Sequence, residues 1–141
     1  MRDKDFMELA LKEARRAYEE GEVPIGAVLV NGNGDLICGE HNRVEQLQDA
    51  TAHAEMLILR GRRNLSECTL YVTVEPCAMC AGAMILCRVK RLVYGTFNSK
   101  FGASESLFNV TDNHWLNWQL KVTAGVLAEE SRLLLRNFFR S

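Results

Sequence analysis

The run "TLYVTVEPCAMCAGAMILC", residues 69–87, restricts the fold of this chain more than any other segment. It opens with "TLYVTV", whose β-branched, aromatic and aliphatic residues predict a strand. We expect Pro76 in the first turn of a helix, where proline is favoured. The small and apolar residues that follow predict that this helix is buried. A strand that leads directly into a buried helix is typical of an α/β protein.

The other segments indicate the same class. Apolar residues at helical spacing predict an amphipathic helix in "DKDFMELALKEARRAYEEG", which ends at Gly21. Two apolar runs around "NGNG", residues 31–34, predict a β-hairpin. Further segments predict, in order, a short helix, a strand, a loop, a strand and a final helix: "HAEMLILRGRRN", "RLVYGTF", "NSKFGASES", "LKVTAG" and "AEESRLLLRNFF". We therefore expect one α/β domain over residues 1–141, with helices on both faces of a sheet.

The composition fits a globular protein, because 48% of residues are apolar and 25% are charged. No apolar run approaches the roughly 20 residues that a membrane-spanning helix needs. The N-terminal segment is charged and lacks the apolar core of a signal peptide. We therefore expect a cytoplasmic, reducing location without membrane contact.

Cys77 and Cys80 stand three residues apart, so they face one side of the predicted helix at its first turn. The partial positive charge of a helix N-terminus favours thiolates, and two thiolates can bind Zn²⁺. In a reducing compartment such a pair is metal-binding or catalytic more often than a structural disulfide. A structural zinc site commonly uses a second close pair. The other three cysteines (38, 68 and 87) are isolated, and we interpret them as buried apolar thiols.

His53 and Glu55 lie upstream in "TAHAEM", at the start of a predicted helix. A catalytic zinc ion takes three protein ligands and keeps one position open. His53 can be the third ligand, and Glu55 can reach the open position and move protons there. Taken alone, either motif is weak, and the cysteine pair also fits a redox site or an ordinary core. A thioredoxin-like interpretation explains neither His53 nor Glu55.

The motifs "HAE" and "PCAMC" together resemble the signature of the zinc-dependent cytidine and nucleoside deaminase superfamily. Longer segments are similar to the bacterial tRNA-specific adenosine deaminases over nearly the whole chain: "EVPIGAVLV", "HNR", "TAHAEM", "TLYVTVEPCAMCAGAMI", "GASESLFNV" and "GVLAEESRLLLRNFFR". The resemblance implies a three-layer αβα fold of the cytidine-deaminase type with a five-stranded mixed sheet. It also implies a homodimer that converts the wobble adenosine of a tRNA anticodon to inosine.

The same resemblance implies roles for individual residues. Zn²⁺ would be bound by His53, Cys77 and Cys80, and Glu55 would carry protons from water to the purine ring and to the departing ammonia. The remaining expected substrate contacts are Asn42 to the flipped nucleoside, Asn98 in the loop that lines the substrate channel, and Lys100, Phe138 and Phe139 to the flanking RNA. For Phe138 and Phe139, core packing is the alternative.

Asn98 stands where the family usually has Asp, and "LNWQ", residues 116–119, stands where it commonly has "LNHR". A carboxylate accepts a stronger hydrogen bond from a ribose 2′-OH than an amide does, and it repels phosphate. Asn98 therefore predicts greater tolerance of single-stranded DNA, unless it only shapes its loop. The change to "LNWQ" predicts a loss of polar contacts at the edge of its loop.

Charge leaves several substrates open. The net charge is −1, but residues 56–104 carry a local excess of +5, which fits either a nucleic-acid surface or a solvated basic face. The alternatives to tRNA are adenine in single-stranded DNA, and a free base or nucleoside such as guanine or cytosine. A non-catalytic, RNA-binding or structural subunit is a third interpretation, although an intact Glu55 argues against it.

Overall fold

The computed structural model describes residues 1–140, which form a five-stranded sheet with helices on both faces. The strands are β1 (Gly26–Val30), β2 (Leu36–His41), β3 (Thr69–Val74), β4 (Arg91–Thr96) and β5 (Lys121–Thr123). The helices are α1 (Asp3–Glu19), α2 (Val44–Leu47), α3 (Ala54–Leu59), α4 (Ala78–Leu86) and α5 (Ala128–Arg140). None of these helices combines the length and apolar character that crossing a bilayer requires.

The sheet is mixed, with the strand order β2-β1-β3-β4-β5. The predicted hairpin is present, and β1 also pairs antiparallel with β3. In the hairpin turn, Asn31 Oδ1 accepts hydrogen bonds from the amides of Asn33 and Asp35, and Gly34 takes the positive φ that the turn requires. The pairs β3–β4 and β4–β5 are parallel, and α4 makes the crossover from β3 to β4.

The strands alternate their side chains between two apolar layers. Ala27 and Leu29 of β1 pack in one layer with α3 and α4, whereas Val28 and Val30 pack in the other layer against α1. α5 contacts β3, β4 and α1, so it shares the second face. The architecture is therefore the three-layer αβα fold with a five-stranded mixed sheet that the resemblance implied.

Asp3 fixes the start of α1 to the sheet. Its carboxylate accepts hydrogen bonds from Arg91 at 2.8 and 2.5 Å and from the Tyr71 hydroxyl at 2.9 Å. Arg91 also donates to Thr123 Oγ1 at 3.0 Å, so one guanidinium joins α1, β4 and β5. The hydrogen bond from Arg91 is the main reason that the pKa of Asp3 lies below its ordinary value of 3.8.

Two local features differ from the sequence-based expectations. Pro76 precedes the N-cap residue Cys77, so it lies outside the first turn of α4, contrary to prediction. Its carbonyl instead accepts a hydrogen bond from Ala103, which joins the strand end to a distant loop. The short helix α2 was not predicted, because it buries none of its residues and shows no apolar pattern.

Candidate active site

His53, Cys77 and Cys80 meet at the N-terminal ends of α3 and α4. His53 is the N-cap of α3, Cys77 is the N-cap of α4, and Cys80 lies in the first turn of α4. α3 and α4 pack on the same face of the sheet, which brings three residues from two segments to one point. Their ligand atoms all lie within 4.8 Å of one another.

The geometry of this cluster fits zinc. His53 Nδ1 lies 3.6 Å from the Sγ atom of Cys77 and 3.6 Å from that of Cys80. A tetrahedral ion with bonds of about 2.1 Å to nitrogen and 2.3 Å to sulfur separates these two ligand atoms by about 3.6 Å. One nitrogen and two sulfur donors are also the donor types that Zn²⁺ prefers. These three residues can therefore hold Zn²⁺ and leave a fourth position open.

One thiol of the pair, that of Cys77, is set up to carry negative charge, whereas the hydrogen bond to Cys77 and burial raise the pKa of Cys80. A hydrogen bond from the Cys80 thiol, followed by one from His53, lowers the pKa of Cys77 to about 4. The first turn of α4 adds partial positive charge beside both sulfur atoms. A thiolate is the form that binds a metal, so this environment prepares the cluster for a cation.

Glu55 lies in the first turn of α3, two residues after His53, and it is 4% exposed. Burial is the main reason that the pKa of its carboxyl rises from 4.5 to about 7. Its carboxyl also hydrogen-bonds with Cys80, which places it beside the donor cluster. A carboxyl in such a place can take up and release protons near neutral pH.

A cleft of about 1130 Å³ opens over this cluster. His53, Glu55 and Cys77 contribute to its lining, and so does Asn42, which directly follows β2 and is 5% exposed. Asn42 Oδ1 accepts a hydrogen bond from the amide of Ala54 at 2.8 Å, so this side chain caps α3 from outside the helix.

Asn98 and Lys100 lie on the loop after β4 and line the same cleft. Asn98 Oδ1 accepts hydrogen bonds from the amides of Lys100 at 3.3 Å and Phe101 at 3.1 Å. The acceptor oxygen is therefore engaged in the turn of its own loop, which is the loop-shaping role considered above. The Lys100 side chain is exposed at the cleft.

Four phenylalanines complete the rim of the cleft. Phe138 packs edge-on against Tyr18 of α1, with ring centroids 5.7 Å apart, so it is partly core. The other three rings are more than half exposed: Phe97 54%, Phe101 64% and Phe139 69%. Sequence reasoning identified the two in α5 but missed Phe97 and Phe101, although both occur in the segment that it read as a strand followed by a loop.

The loop segment "LNWQ" makes polar contacts of its own. Trp118 Nε1 donates to the carbonyl of Val89 at 2.8 Å, and Gln119 Nε2 donates to the carbonyls of Asn113 and Leu116. Both side chains that replace the family's His and Arg therefore have hydrogen-bond partners in the fold. The basic excess is likewise partly internal, because Arg91 pairs with Asp3. Of the basic residues in that range, Lys100 lines the cleft.

Comparison with known proteins agrees with this geometry. The profile of the cytidine and deoxycytidylate deaminase zinc-binding region matches residues 1–96. The tRNA-specific adenosine deaminase of Bacillus subtilis is 48% identical over 144 residues, which span 98% of this chain and 89% of that relative.

Two solved structures are also similar. One comes from a study of A-to-I editing by tRNA:A34 deaminases at the wobble position of transfer RNA. It has a TM-score of 0.87 and 44% identity, and the match covers 93% of this chain and 99% of that one. The guanine deaminase of Nitrosomonas europaea has a TM-score of 0.84 and 26% identity, with 98% and 85% covered. From its zinc-binding region and its near full-length similarity to these relatives, the chain belongs to the tRNA-specific adenosine deaminase family of zinc-dependent deaminases.

Proposed function

We propose that this protein hydrolytically deaminates the wobble adenosine of a tRNA anticodon, which gives inosine and ammonia. The observation that carries the chemistry is the buried Glu55 carboxyl beside His53, Cys77 and Cys80 at an open cleft. The substrate follows from the family, since the Bacillus subtilis relative is a tRNA-specific adenosine deaminase.

In this mechanism His53, Cys77 and Cys80 would hold Zn²⁺, and the bound ion would supply the Lewis acidity that makes water nucleophilic near neutral pH. Glu55 takes one proton from the attacking water and passes it to N1 of adenine as the oxygen adds to C6. It then carries the remaining hydroxyl proton to the amino group, which leaves as ammonia as the C6 carbonyl forms. The side-chain NH₂ group of Asn42 orients the nucleoside, because the side-chain oxygen already accepts a hydrogen bond from the backbone amide of Ala54.

The rim of the cleft supports a polynucleotide substrate. Phe97, Phe101 and Phe139 are exposed, and Lys100 and Arg136 line the same cleft. Aromatic rings on which unpaired bases stack, together with cations near the phosphates, are the usual means of binding single-stranded nucleic acid. The base must leave any stack before it reacts, which costs least in a loop such as an anticodon.

Two other substrates have specific support. Guanine is the second candidate, because the guanine deaminase of Nitrosomonas europaea shares the fold at 26% identity. A free base does not need the aromatic rim. Adenine in single-stranded DNA is the third candidate, since Asn98 brings no negative charge to the loop. With each substrate, the same zinc ligands and the same Glu55 would act on the reacting carbon.

Homodimer formation and a cytoplasmic location, beside the tRNA, are part of the same proposal. Ala78, Gly82 and Leu86 follow one another at four-residue spacing on α4, Leu86 is 82% exposed, and a Cβ at Gly82 would meet no atom within 4 Å. This open stripe suits close packing against a second copy. Light scattering at micromolar concentration should give the mass of a dimer, and a monomer mass would contradict the dimer.

The substrate proposal is tested with four compounds supplied to the zinc-loaded protein: an anticodon stem-loop RNA, its DNA equivalent, guanine and cytidine. We expect inosine from the RNA at the highest kcat/KM. A Phe101→Ala variant should raise KM for the RNA by about tenfold, since stacking contributes about 1–3 kcal/mol per base. Faster conversion of guanine than of the RNA would refute the substrate assignment and retain the deaminase chemistry.

A further inference from the structure

Glu75 is a buried carboxylate that the mechanism above does not use. It directly follows β3 and is 2% exposed. Its Oε1 accepts from the amide of Asn98 at 3.0 Å and from the Ser106 hydroxyl. Its Oε2 accepts from the amides of Ser104, Glu105 and Ser106 at 3.0, 2.7 and 2.9 Å. One side chain thus binds both ends of the loop over residues 98–106.

A second set of contacts ties the same loop to the start of α4. The amide of Ala103 donates to the carbonyl of Pro76 at 2.9 Å, and Gly102 forms an isolated antiparallel bridge with Cys77. A Cβ at Gly102 would lie 2.5 Å from Glu75 Oε1, so the loop backbone packs directly on the carboxylate. The middle of the loop therefore lies against the segment that carries a zinc-ligand candidate.

Only a carboxylate suits this position. It offers two oxygens with about four acceptor sites and no donor, which matches a set of converging N–H and O–H donors. A glutamine would keep one oxygen and turn an NH₂ group towards amides that can only donate. A buried amide that loses its acceptor is destabilising, so the loop would move away from the substituted side chain and loosen.

The outer side of the loop carries the residues that line the cleft. Asn98, Lys100 and Phe101 all belong to it, and the Asn98 side chain shapes the turn that presents the other two. The same cleft is lined by Cys77 and His53, two of the three candidate zinc ligands. A change in the loop therefore changes the distance between the metal donors and the groups that would hold the flanking substrate.

We infer that Glu75 is a positioning residue, which clamps the loop over residues 98–106 onto the Cys77 turn and so aligns the substrate with the metal. The inference rests on the proposed function for its catalytic consequence only. The clamp itself depends on hydrogen bonds and can be measured without any substrate.

The test compares zinc-loaded wild type with Glu75→Gln. Amide hydrogen exchange should rise by at least about tenfold at Asn98 and at residues 104–106, since each loses an acceptor or its alignment. After substitution of cobalt for zinc, the thiolate absorption bands should stay near those of wild type, because the ligands are retained. On the substrate that the wild type deaminates best, kcat should fall by at least about tenfold.

Two further variants separate positioning from simple loss of stability. Asp3 lies at the start of α1, away from the loop. The variant Asp3→Asn should therefore leave exchange at these amides and kcat unchanged, even if its thermal midpoint falls as far as that of Glu75→Gln. Ser106→Ala removes one hydroxyl donor and should shift exchange and kcat in the same direction by less, which keeps the test available if Glu75→Gln does not fold. If Glu75→Gln and Ser106→Ala both showed the exchange rates and the kcat of wild type, the inference would be overturned. A wild type that deaminates guanine instead of RNA would refute the proposed function without affecting the exchange result.

Discussion

Asn42 Oδ1 accepts a hydrogen bond from the amide of Ala54 at 2.8 Å, and this contact joins the end of β2 to the start of α3. Ala54 lies between His53 and Glu55, so the bond fixes the backbone that carries a zinc-ligand candidate and the candidate proton carrier. The side-chain oxygen of Asn42 therefore supports the fold, and we assign its NH₂ group to contact with the nucleoside.

The variant Asn42→Asp separates the role of the oxygen from that of the NH₂ group. The aspartate retains an oxygen for Ala54 but loses the NH₂ donor, so the thermal midpoint should stay near that of wild type. We expect kcat/KM to fall by at least about tenfold, as for the loss of a buried hydrogen bond worth about 1–3 kcal/mol. Asn42→Ala should lose both stability and activity. Wild-type kcat/KM in Asn42→Asp would show that the amide does not contact the substrate.

Removal of one sulfur donor should empty the zinc site. Cys80→Ser leaves a ligand set in which one thiolate is replaced by a weakly acidic hydroxyl, so elemental analysis should find little zinc. Cys87→Ser is the matched control, because Cys87 is also buried but lies outside the donor cluster and bonds to backbone carbonyls. Equal zinc content in the two variants would refute the ligand set.

Glu55→Gln should separate zinc binding from catalysis. The glutamine has a similar shape but cannot accept and return a proton, so zinc content should be retained while kcat falls by about 10²–10⁴-fold. Glu67→Gln, at an exposed position outside the cleft, should behave as wild type. A Glu55→Gln rate within a few fold of wild type would remove Glu55 from the mechanism.

Asp3 gives a stability that depends on pH. Its pKa is lowered in the folded protein, chiefly by the hydrogen bond from Arg91, so its stabilisation is present above 3.8 and is lost as the pH falls through the folded pKa. Asp3→Asn should lower the free energy of unfolding at pH 7 by up to about 1 kcal/mol, because the pair is partly exposed. Urea unfolding should show this difference shrinking below pH 4. A difference independent of pH would contradict the ion pair.

Local patterns in the sequence predict most elements of the fold. The apolar run that contains "GAVLV", the β-branched and aromatic residues of "TLYVTV" and the helical spacing of α1 predicted elements whose burial the structure confirms. α2 could not be predicted in this way, since its first amides bond to the carboxylate of Glu22, more than twenty residues upstream. A tertiary contact of this kind leaves no periodic signal.

The same distinction applies to the site. His53, Glu55, Cys77 and Cys80 could be identified as candidate site residues because metal chemistry restricts residue type and spacing along short segments. The clamp made by Glu75 could not, since its partners lie in a loop more than twenty residues away and offer mainly backbone amides. Any sequence can provide such amides, so only the fold reveals the contact.

The most direct measurement is sequencing of a full-length tRNA with adenosine at the wobble position after incubation with zinc-loaded protein. We predict inosine at that position and at no other adenosine, and no inosine in a parallel reaction with Glu55→Gln that retains its zinc. Unchanged adenosine at the wobble position after incubation with the zinc-loaded wild type would contradict the proposed function.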